Sequence, residues 1–176
     1  MTTFTTKILG AALLAISFAC GGQIDAADDA QDMKSPISFE PFTSFDASKE
    51  HAQRYAKNCA AVGLTGRLDK DARSYDWRWT FQCDGRVYVT VSAGPGAIRV
   101  LSHEVRAYFM GMGTFDPAKV NVDATDLLQI LAKQGLARPE SMSLSAPLTQ
   151  RMEPRWTASA SSKTVLVNAS TGDVNG

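Results

Sequence analysis

Side chains suited to acid–base chemistry are few in this sequence and stand apart. The chain of 176 residues has two histidines, His51 and His103, and Glu104 directly follows the second. A histidine paired with a carboxylate can transfer protons, but adjacent residues of a strand point to opposite faces of its sheet. His51 falls in a stretch of helical periodicity and fits a helix-surface residue. No serine stands in a G-x-S-x-G setting, so we expect no catalytic residues and no enzymatic activity.

The pair Met110 and Met112, separated by Gly111, raises the question of copper, because thioethers are ligands of Cu(I). No cluster of further methionine or histidine stands beside them, and the cysteines lack the C-x-x-C spacing that suits zinc. A linker with two packing methionines explains the segment better. We therefore expect no metal site and no other cofactor.

The first nineteen residues have the features of an export signal. Met1–Lys7 is polar and ends in one positive charge, and the apolar stretch Ile8–Ala19 follows it. As a helix this stretch would rise about 18 Å, too little to cross a hydrocarbon core of about 30 Å. A charged start followed by a short apolar stretch and small residues is typical of a cleaved targeting peptide. We expect residues 1–19 to be removed.

The segment Ser17-Phe18-Ala19-Cys20-Gly21-Gly22 resembles the lipobox of bacterial lipoproteins. The resemblance implies that Cys20 is acylated, becomes the first residue of the mature chain and anchors it to a membrane. Each buried CH₂ contributes about 0.8 kcal/mol, so two or more acyl chains give stable anchoring. Gly21 replaces the Asp that commonly retains such proteins in the inner membrane, which implies the outer membrane of the cell envelope. Simple secretion, with Cys20 as an unmodified thiol, is the alternative.

Composition divides the mature chain into a tether and a folded part. Residues 20–43 contain four aspartates and Glu40 but only one base, Lys34, and are typical of a flexible acidic spacer. From Ser44 onward there are 13 acidic and 16 basic side chains. Because this positive charge is mild and scattered, it does not form a nucleic-acid footprint, and we expect no nucleic-acid partner.

An internal repeat with an offset of 77 residues organises the folded part. Asp46-Ala47-Ser48 recurs as Asp123-Ala124-Thr125, and Arg78-Trp79-Thr80 recurs as Arg155-Trp156-Thr157. In each half the aspartate or the hydroxyl residue suits the N-terminal cap of a helix. The repeat predicts a first αβββ unit at 44–105, a linker at 106–121 and a second αβββ unit at 122–176.

Hydrophobic periodicity assigns the elements within each unit. Apolar residues recur at helical spacing as far as Val62, and Gly63 would end this first helix. Alternation over 77–83 predicts a strand, and Asp84-Gly85 predicts a hairpin turn. The second half repeats the plan, with helical spacing over 127–132 and strand patterns over 141–144, 155–161 and 164–169. The predicted fold is α+β, with two tandem units of a helix followed by antiparallel strands and with the helices packed on one face of the sheet.

The number of cysteines predicts a disulfide between Cys59 and Cys83. An exported chain with three cysteines leaves one unexplained, and lipidation of Cys20 leaves an even pair in an oxidising compartment. Cys59 shares the apolar stripe of the predicted helix, and Cys83 shares the apolar face of the predicted strand. Their disulfide would staple helix to sheet and contribute about 3 kcal/mol by closing a loop of about 25 residues.

The end of the chain resembles the PepSY family. In that family a strand containing Trp pairs with a strand that ends in D-x-x-T-G-x-V, and here Trp156 is followed by a segment that ends in Asn168–Val174, with Asn168 in the position of the aspartate. Tandem units of helix and strands are also similar in plan to the secreted inhibitors of β-lactamase. These families are generally binding or inhibitory modules without cofactors. The resemblance therefore implies a non-enzymatic protein-binding module, and inhibition of a peptidase is its narrower form.

Aromatic residues around the linker are the candidates for an interaction surface. Tyr108, Phe109 and Phe115 either pack the linker onto the sheet or form an exposed patch for a protein partner in the envelope. Two other functions remain open. An anchored enzyme of unrecognised type would need a polar pocket near His51 or His103, and a structural protein of envelope assembly would need neither pocket nor patch.

Overall fold

Eight antiparallel strands form one sheet, and the helices that accompany it are short. The structure, a computed structural model, describes residues 39–69, 71, 74–94, 97–106, 113–146 and 153–175. The strands are β1 Ala60–Leu68, β2 Tyr75–Cys83, β3 Val87–Ser92, β4 Val100–Val105, β5 Ser141–Ser145, β6 Arg155–Ala160, β7 Lys163–Asn168 and β8 Val174–Asn175. Helices α1 Phe45–Gln53 and α2 Ala124–Lys133 each follow a short 3-10 turn, at Pro41–Ser44 and Pro117–Lys119. The strand order is β4-β3-β2-β1-β5-β6-β7-β8.

The predicted α+β fold of two tandem units is wrong, because the two halves of the chain share one sheet. β1 pairs with β2 along one edge and with β5 along the other, so that Leu64 stands opposite both Trp79 and Leu144. A buried strand needs partners for its backbone groups on both edges, and here the second half of the chain supplies one of them. With only 9 residues in α1 and 10 in α2, the fold is β-rich.

The largest local difference from the prediction concerns the segment before and within β1. The first helix ends at Gln53 rather than continuing to Val62, and β1 begins at Ala60. Asn58, two residues before β1, has a φ of 52°, a left-handed conformation that residues of a continuing right-handed helix do not adopt. Ala61–Leu64 is buried without interruption, so its apolar residues do not alternate. Periodicity alone cannot separate such a buried strand from a helix.

The aromatic core lies on one face of the sheet, which we call the covered face. Alternation along β2 directs Trp77, Trp79 and Phe81 onto this face, where all three are fully buried. Phe45 of α1 packs on two of them, with ring centroids 5.0 Å from Trp79 and 5.8 Å from Phe81. Both helices contribute buried residues to this core.

The two tryptophans of the repeat anchor the segments that lead into the helices. Trp79 Nε1 donates a hydrogen bond to the Pro41 carbonyl at 3.2 Å, and Trp156 Nε1 donates one to the Val122 carbonyl at 2.8 Å. Phe42 lies near both indoles, with centroid distances of 5.5 and 6.3 Å. The predicted tether of residues 20–43 included Phe42, but its ring belongs to the core because edge-to-face aromatic contacts hold it there. Residues 20–38 lie outside the described part.

The ends of the helices match the sequence prediction in one half only. Asp123 caps α2, since its Oδ1 accepts a hydrogen bond from the Asp126 N–H at 2.7 Å. In the first half the capping position is Ser44, whose side chain makes no capping bond, and Ser48 lies buried within α1.

Cys59 and Cys83 form the predicted disulfide, although Cys59 stands just before β1 and not on a helix. The bridge therefore joins the start of β1 to the end of β2.

Candidate interaction surface

The histidines do not form an acid–base site with the neighbouring carboxylate. His103 lies on β4, and its ring stacks beside Tyr55 with a centroid distance of 5.0 Å. Glu104 binds Arg106 instead, with 2.7 Å between Oε2 and Nη2, because adjacent strand residues point to opposite faces. His51 is half-buried on α1. Within the described ranges, no group of three or more His, Cys, Asp or Glu side chains is arranged to hold a metal ion.

Of the predicted interaction residues, only Phe115 falls in the described part of the chain. Its side chain is 9% exposed, its ring lies 6.4 Å from Trp79, and its N–H donates to the Ala61 carbonyl at 2.9 Å. Phe115 is therefore a core residue, which favours the packing alternative over the exposed patch. Cys20, Tyr108 and Phe109, like Met110 and Met112, lie outside the described residues. Neither described helix is long and apolar enough to cross a membrane.

The sheet face opposite the helices is polar, and we call it the open face. Side chains alternate along a strand, so Asp76, Arg78 and Thr80 point away from the buried aromatics of β2. Hydroxyl groups dominate this face, and they belong to Thr65, Thr80, Thr90, Ser92, Ser102, Ser141, Ser143, Ser145, Thr157, Ser159 and Thr164. Both helices contribute to the core of the covered face, so no helix of the described ranges lies over these hydroxyls.

The strand register aligns the polar side chains of the open face in rows across the sheet. One row runs through Thr90, Thr80, Ser145 and Arg155 and is interrupted only at β1, where Gly63 has no side chain. The next row runs through Arg78, Thr65, Ser143 and Thr157. Neighbouring strands are about 4.8 Å apart, so a row of five positions spans roughly 20 Å. Donors and acceptors spread over such a distance suit a macromolecular partner better than a small substrate, whose site is concave and convergent.

Three arginines, Arg67, Arg78 and Arg155, give the open face positive charge. Arg78 binds Asp76, with 2.5 Å between Nη2 and Oδ2. Asp76 also stands opposite Arg67 in the register of β1 and β2, but Arg67 and Arg155 form no ion pair or side-chain hydrogen bond with any described residue. Guanidinium groups bind carboxylates through two parallel hydrogen bonds. Each of these two guanidinium groups can therefore bind a carboxylate in this way.

Tyr88 is the one aromatic side chain that β3 places on the open face. It stands between Gln82 and Glu104 in the register and is buried, with the Arg106 guanidinium carbon 5.9 Å from its ring centroid. Burial raises the pKa of the Tyr88 hydroxyl, while Arg106 and a hydrogen bond with Gln82 act in the opposite direction. Tyr88 therefore stays neutral. It is a buried, uncharged residue of the open face next to β4.

Sequence reasoning missed the open face because it searched for aromatic residues. The sequence feature that indicates this face is the alternation of Ser141, Ser143 and Ser145 with the buried Met142 and Leu144. Only the register between strands shows that these serines continue the hydroxyl rows of the other half of the sheet.

No family model, no curated protein and no solved structure matches this chain.

Proposed function

We propose that this chain is a non-enzymatic module of the bacterial cell envelope, anchored through a lipid on Cys20, that binds a protein partner through the open face. The observation that carries the proposal is the broad array of hydroxyl groups on a face that no described helix covers. Small hydroxyl side chains allow close approach and adaptable hydrogen bonding, as they do in antibody binding sites. The partner then supplies the larger contact residues.

The chemistry of the open face also defines the partner. Arg67 and Arg155 have no acidic neighbour engaged within the described residues, and arginine is frequent among the residues that dominate binding energy. We therefore expect carboxylate side chains on the partner surface that meets β1 and β6. Inhibition of a peptidase is the narrower form of this proposal, in which the bound surface surrounds the partner's active site.

Affinity capture from envelope extract tests the binding surface. The wild-type chain is compared with the double variant Arg67→Glu/Arg155→Glu and with the control Lys119→Glu/Lys133→Glu, which makes the same change of charge at exposed positions outside the sheet. We expect one partner to be recovered by the wild type and the control and to be lost from the arginine variant. Equal recovery by all three proteins, or no partner with the wild type, contradicts the proposal.

Mass spectrometry of the mature N-terminus tests the anchor separately. We expect a first residue at Cys20 that carries acyl chains. An unmodified Cys20, or a chain that begins after it, contradicts lipidation and leaves the binding proposal to the capture experiment.

A further inference from the structure

Three arginines of the sheet follow an acidic residue by two positions. The pairs are Asp76 and Arg78 on β2, Glu104 and Arg106 at the end of β4, and Glu153 and Arg155 where β6 begins. Side chains two positions apart along an extended chain point to the same side. Asp76 Oδ2 lies 2.5 Å from Arg78 Nη2, and the second pair is bound in the same way at 2.7 Å. This spacing therefore suits an ion pair that occupies the guanidinium.

The third pair is the exception, because its carboxylate has another partner. Glu153 Oε2 accepts a hydrogen bond from Asn168 Nδ2 at 2.5 Å, and Asn168 stands opposite Arg155 in the register of β6 and β7. Arg155 forms no ion pair or side-chain hydrogen bond with any described residue. The amide of Asn168 therefore holds the carboxylate that the spacing would otherwise place on Arg155.

The turn after β7 fixes the orientation of the Asn168 amide. Its Oδ1 accepts hydrogen bonds from the N–H groups of Ser170 at 2.8 Å and Thr171 at 3.2 Å. An amide group has one acceptor end and one donor end. Because Oδ1 is directed into the turn, Nδ2 is the atom that meets Glu153.

The internal repeat relates the occupied arginine to the unoccupied one. Asp76 and Arg78 recur after 77 residues as Glu153 and Arg155. The two halves thus carry the same two charges, but only in the first half do these bind each other. Arg155 is half-buried whereas Arg78 is exposed, and an ion pair that is partly shielded from water is screened less than an exposed one. Arg155 is therefore the better of the two positions for a carboxylate from outside.

We infer that Asn168 is a positioning residue: by binding Glu153, it keeps Arg155 open for a carboxylate of the partner. This role rests on the proposed function, in which the open face binds acidic groups. Ser145 stands opposite Arg155 on β5, where Cβ atoms are about 4.5–5.5 Å apart, so its hydroxyl can donate to the same carboxylate. The partner's carboxylate therefore meets Arg155 and Ser145, and Arg78 remains bound within the chain.

Modification of arginines by phenylglyoxal in the full chain tests these positions without a partner. The reagent attacks the deprotonated guanidinium, which a bound carboxylate makes rarer, and mass spectrometry of peptides gives the rate at each arginine. We expect Asp76→Asn to raise the rate at Arg78 about threefold, as for an exposed ion pair, and Glu153→Gln to leave the rate at Arg155 nearly unchanged. Arg106 serves as the internal reference. An increase at Arg155 as large as that at Arg78 overturns the inference.

Substitution of Asn168 tests the positioning role itself. In Asn168→Ala the carboxylate of Glu153 is released, and we expect it to bind Arg155 and to lower the rate of modification there about threefold. Asn168→Ala/Glu153→Gln lacks the same turn contacts but has no carboxylate, so its rate should return to that of the wild type. An effect of the lost turn contacts alone would be equal in both variants. An unchanged rate in Asn168→Ala, or a low rate that persists in the double variant, contradicts the role of Asn168.

Binding of poly-L-glutamate measures the consequence for an acidic ligand. We expect Asn168→Ala, which leaves the net charge unchanged, and Arg155→Gln to raise the dissociation constant about threefold or more. Lys119→Gln changes the charge as Arg155→Gln does, but at an exposed position outside the sheet, and should have less effect. Equal losses in these two variants would refute the inference. Failure of the proposed function appears separately in the capture experiment, because neither phenylglyoxal nor poly-L-glutamate involves a partner from the envelope.

Discussion

At the scale of single residues, two buried serines near α1 differ in their hydrogen bonding. Ser44 Oγ donates to the Pro41 carbonyl at 2.8 Å, whereas Ser48 Oγ has no partner among the described residues. A buried hydroxyl without a partner costs about 1–3 kcal/mol of desolvation. We expect Ser48→Ala to leave the free energy of unfolding unchanged or to raise it by about 1 kcal/mol, and Ser44→Ala to lower it by about 1 kcal/mol. Urea denaturation measures both, and equal losses at the two positions would contradict the assignment.

Glu40 connects the first 3-10 turn to the start of α2. Its Oε2 lies 3.3 Å from Thr125 Oγ1, and Asp123 is close enough to repel its negative charge. Burial, followed by repulsion from Asp123, raises the pKa of the Glu40 carboxyl above its ordinary value of 4.5, although hydrogen bonds from backbone N–H groups, including that of Phe42, act in the opposite direction. Compared with the unfolded chain, the folded state therefore favours the protonated form of the Glu40 carboxyl.

The sign of the resulting pH dependence follows from that direction. The stabilising contribution of Glu40 is fully present below its unfolded pKa and is lost as the pH rises through the raised pKa of the folded state. We expect Glu40→Gln to remove this loss, so that the difference in unfolding free energy between variant and wild type grows in favour of the variant above pH 4.5. Urea denaturation over a pH series measures the difference. Glu50→Gln, on the exposed side of α1, is the control, and a parallel trend in it would refute the role of Glu40.

At the scale of elements, two glycines of β1 have different surroundings. A Cβ added at Gly66 would lie 2.6–2.8 Å from ring atoms of the buried Trp77, whereas one at Gly63 would meet only the Leu144 carbonyl at an ordinary 3.6 Å. We expect Gly66→Ala to lower the free energy of unfolding by about 1–3 kcal/mol, because overpacking moves a buried ring. Gly63→Ala is the matched control and should change it by less. Thermal denaturation measures both, and a Gly63→Ala loss as large as that of Gly66→Ala would contradict the packing argument.

The elements that were predictable from the sequence are those whose signal is local. The alternation over 77–83 matches β2, and Asp84-Gly85 forms a turn in which both residues have positive φ, 46° and 73°. Asp123 caps α2 as its type and position predict. β1 was not predictable, because a strand paired and buried at the centre of a sheet lacks alternation, and its partner β5 lies about 80 residues away in the chain. The open face depends on that pairing and was hidden for the same reason.

At the scale of the whole molecule, the two halves of the chain stabilise each other. The pairing of β1 with β5 gives them a shared run of backbone hydrogen bonds, and the indoles of Trp77 and Trp156 meet at a centroid distance of 6.3 Å. Phe42, from the segment before α1, contacts Trp156 of the second half. Without the second half, the first half would expose core aromatics and one edge of β1. Without the first half, the second would expose core aromatics and one edge of β5.

This mutual dependence predicts a single cooperative unfolding transition. Trp156→Phe leaves tryptophan reporters in the first half only, and Trp77→Phe/Trp79→Phe leaves Trp156 as the reporter of the second half. In each variant we expect the urea midpoint from fluorescence to coincide with the midpoint from far-UV circular dichroism, because coincident probes indicate two-state unfolding. Comparing the two probes within one variant removes the effect of each substitution on stability. Two independently folding units would instead give a dichroism curve with two steps, and the fluorescence of each variant would follow only one of them. That result would show that the two halves fold separately and would contradict the prediction.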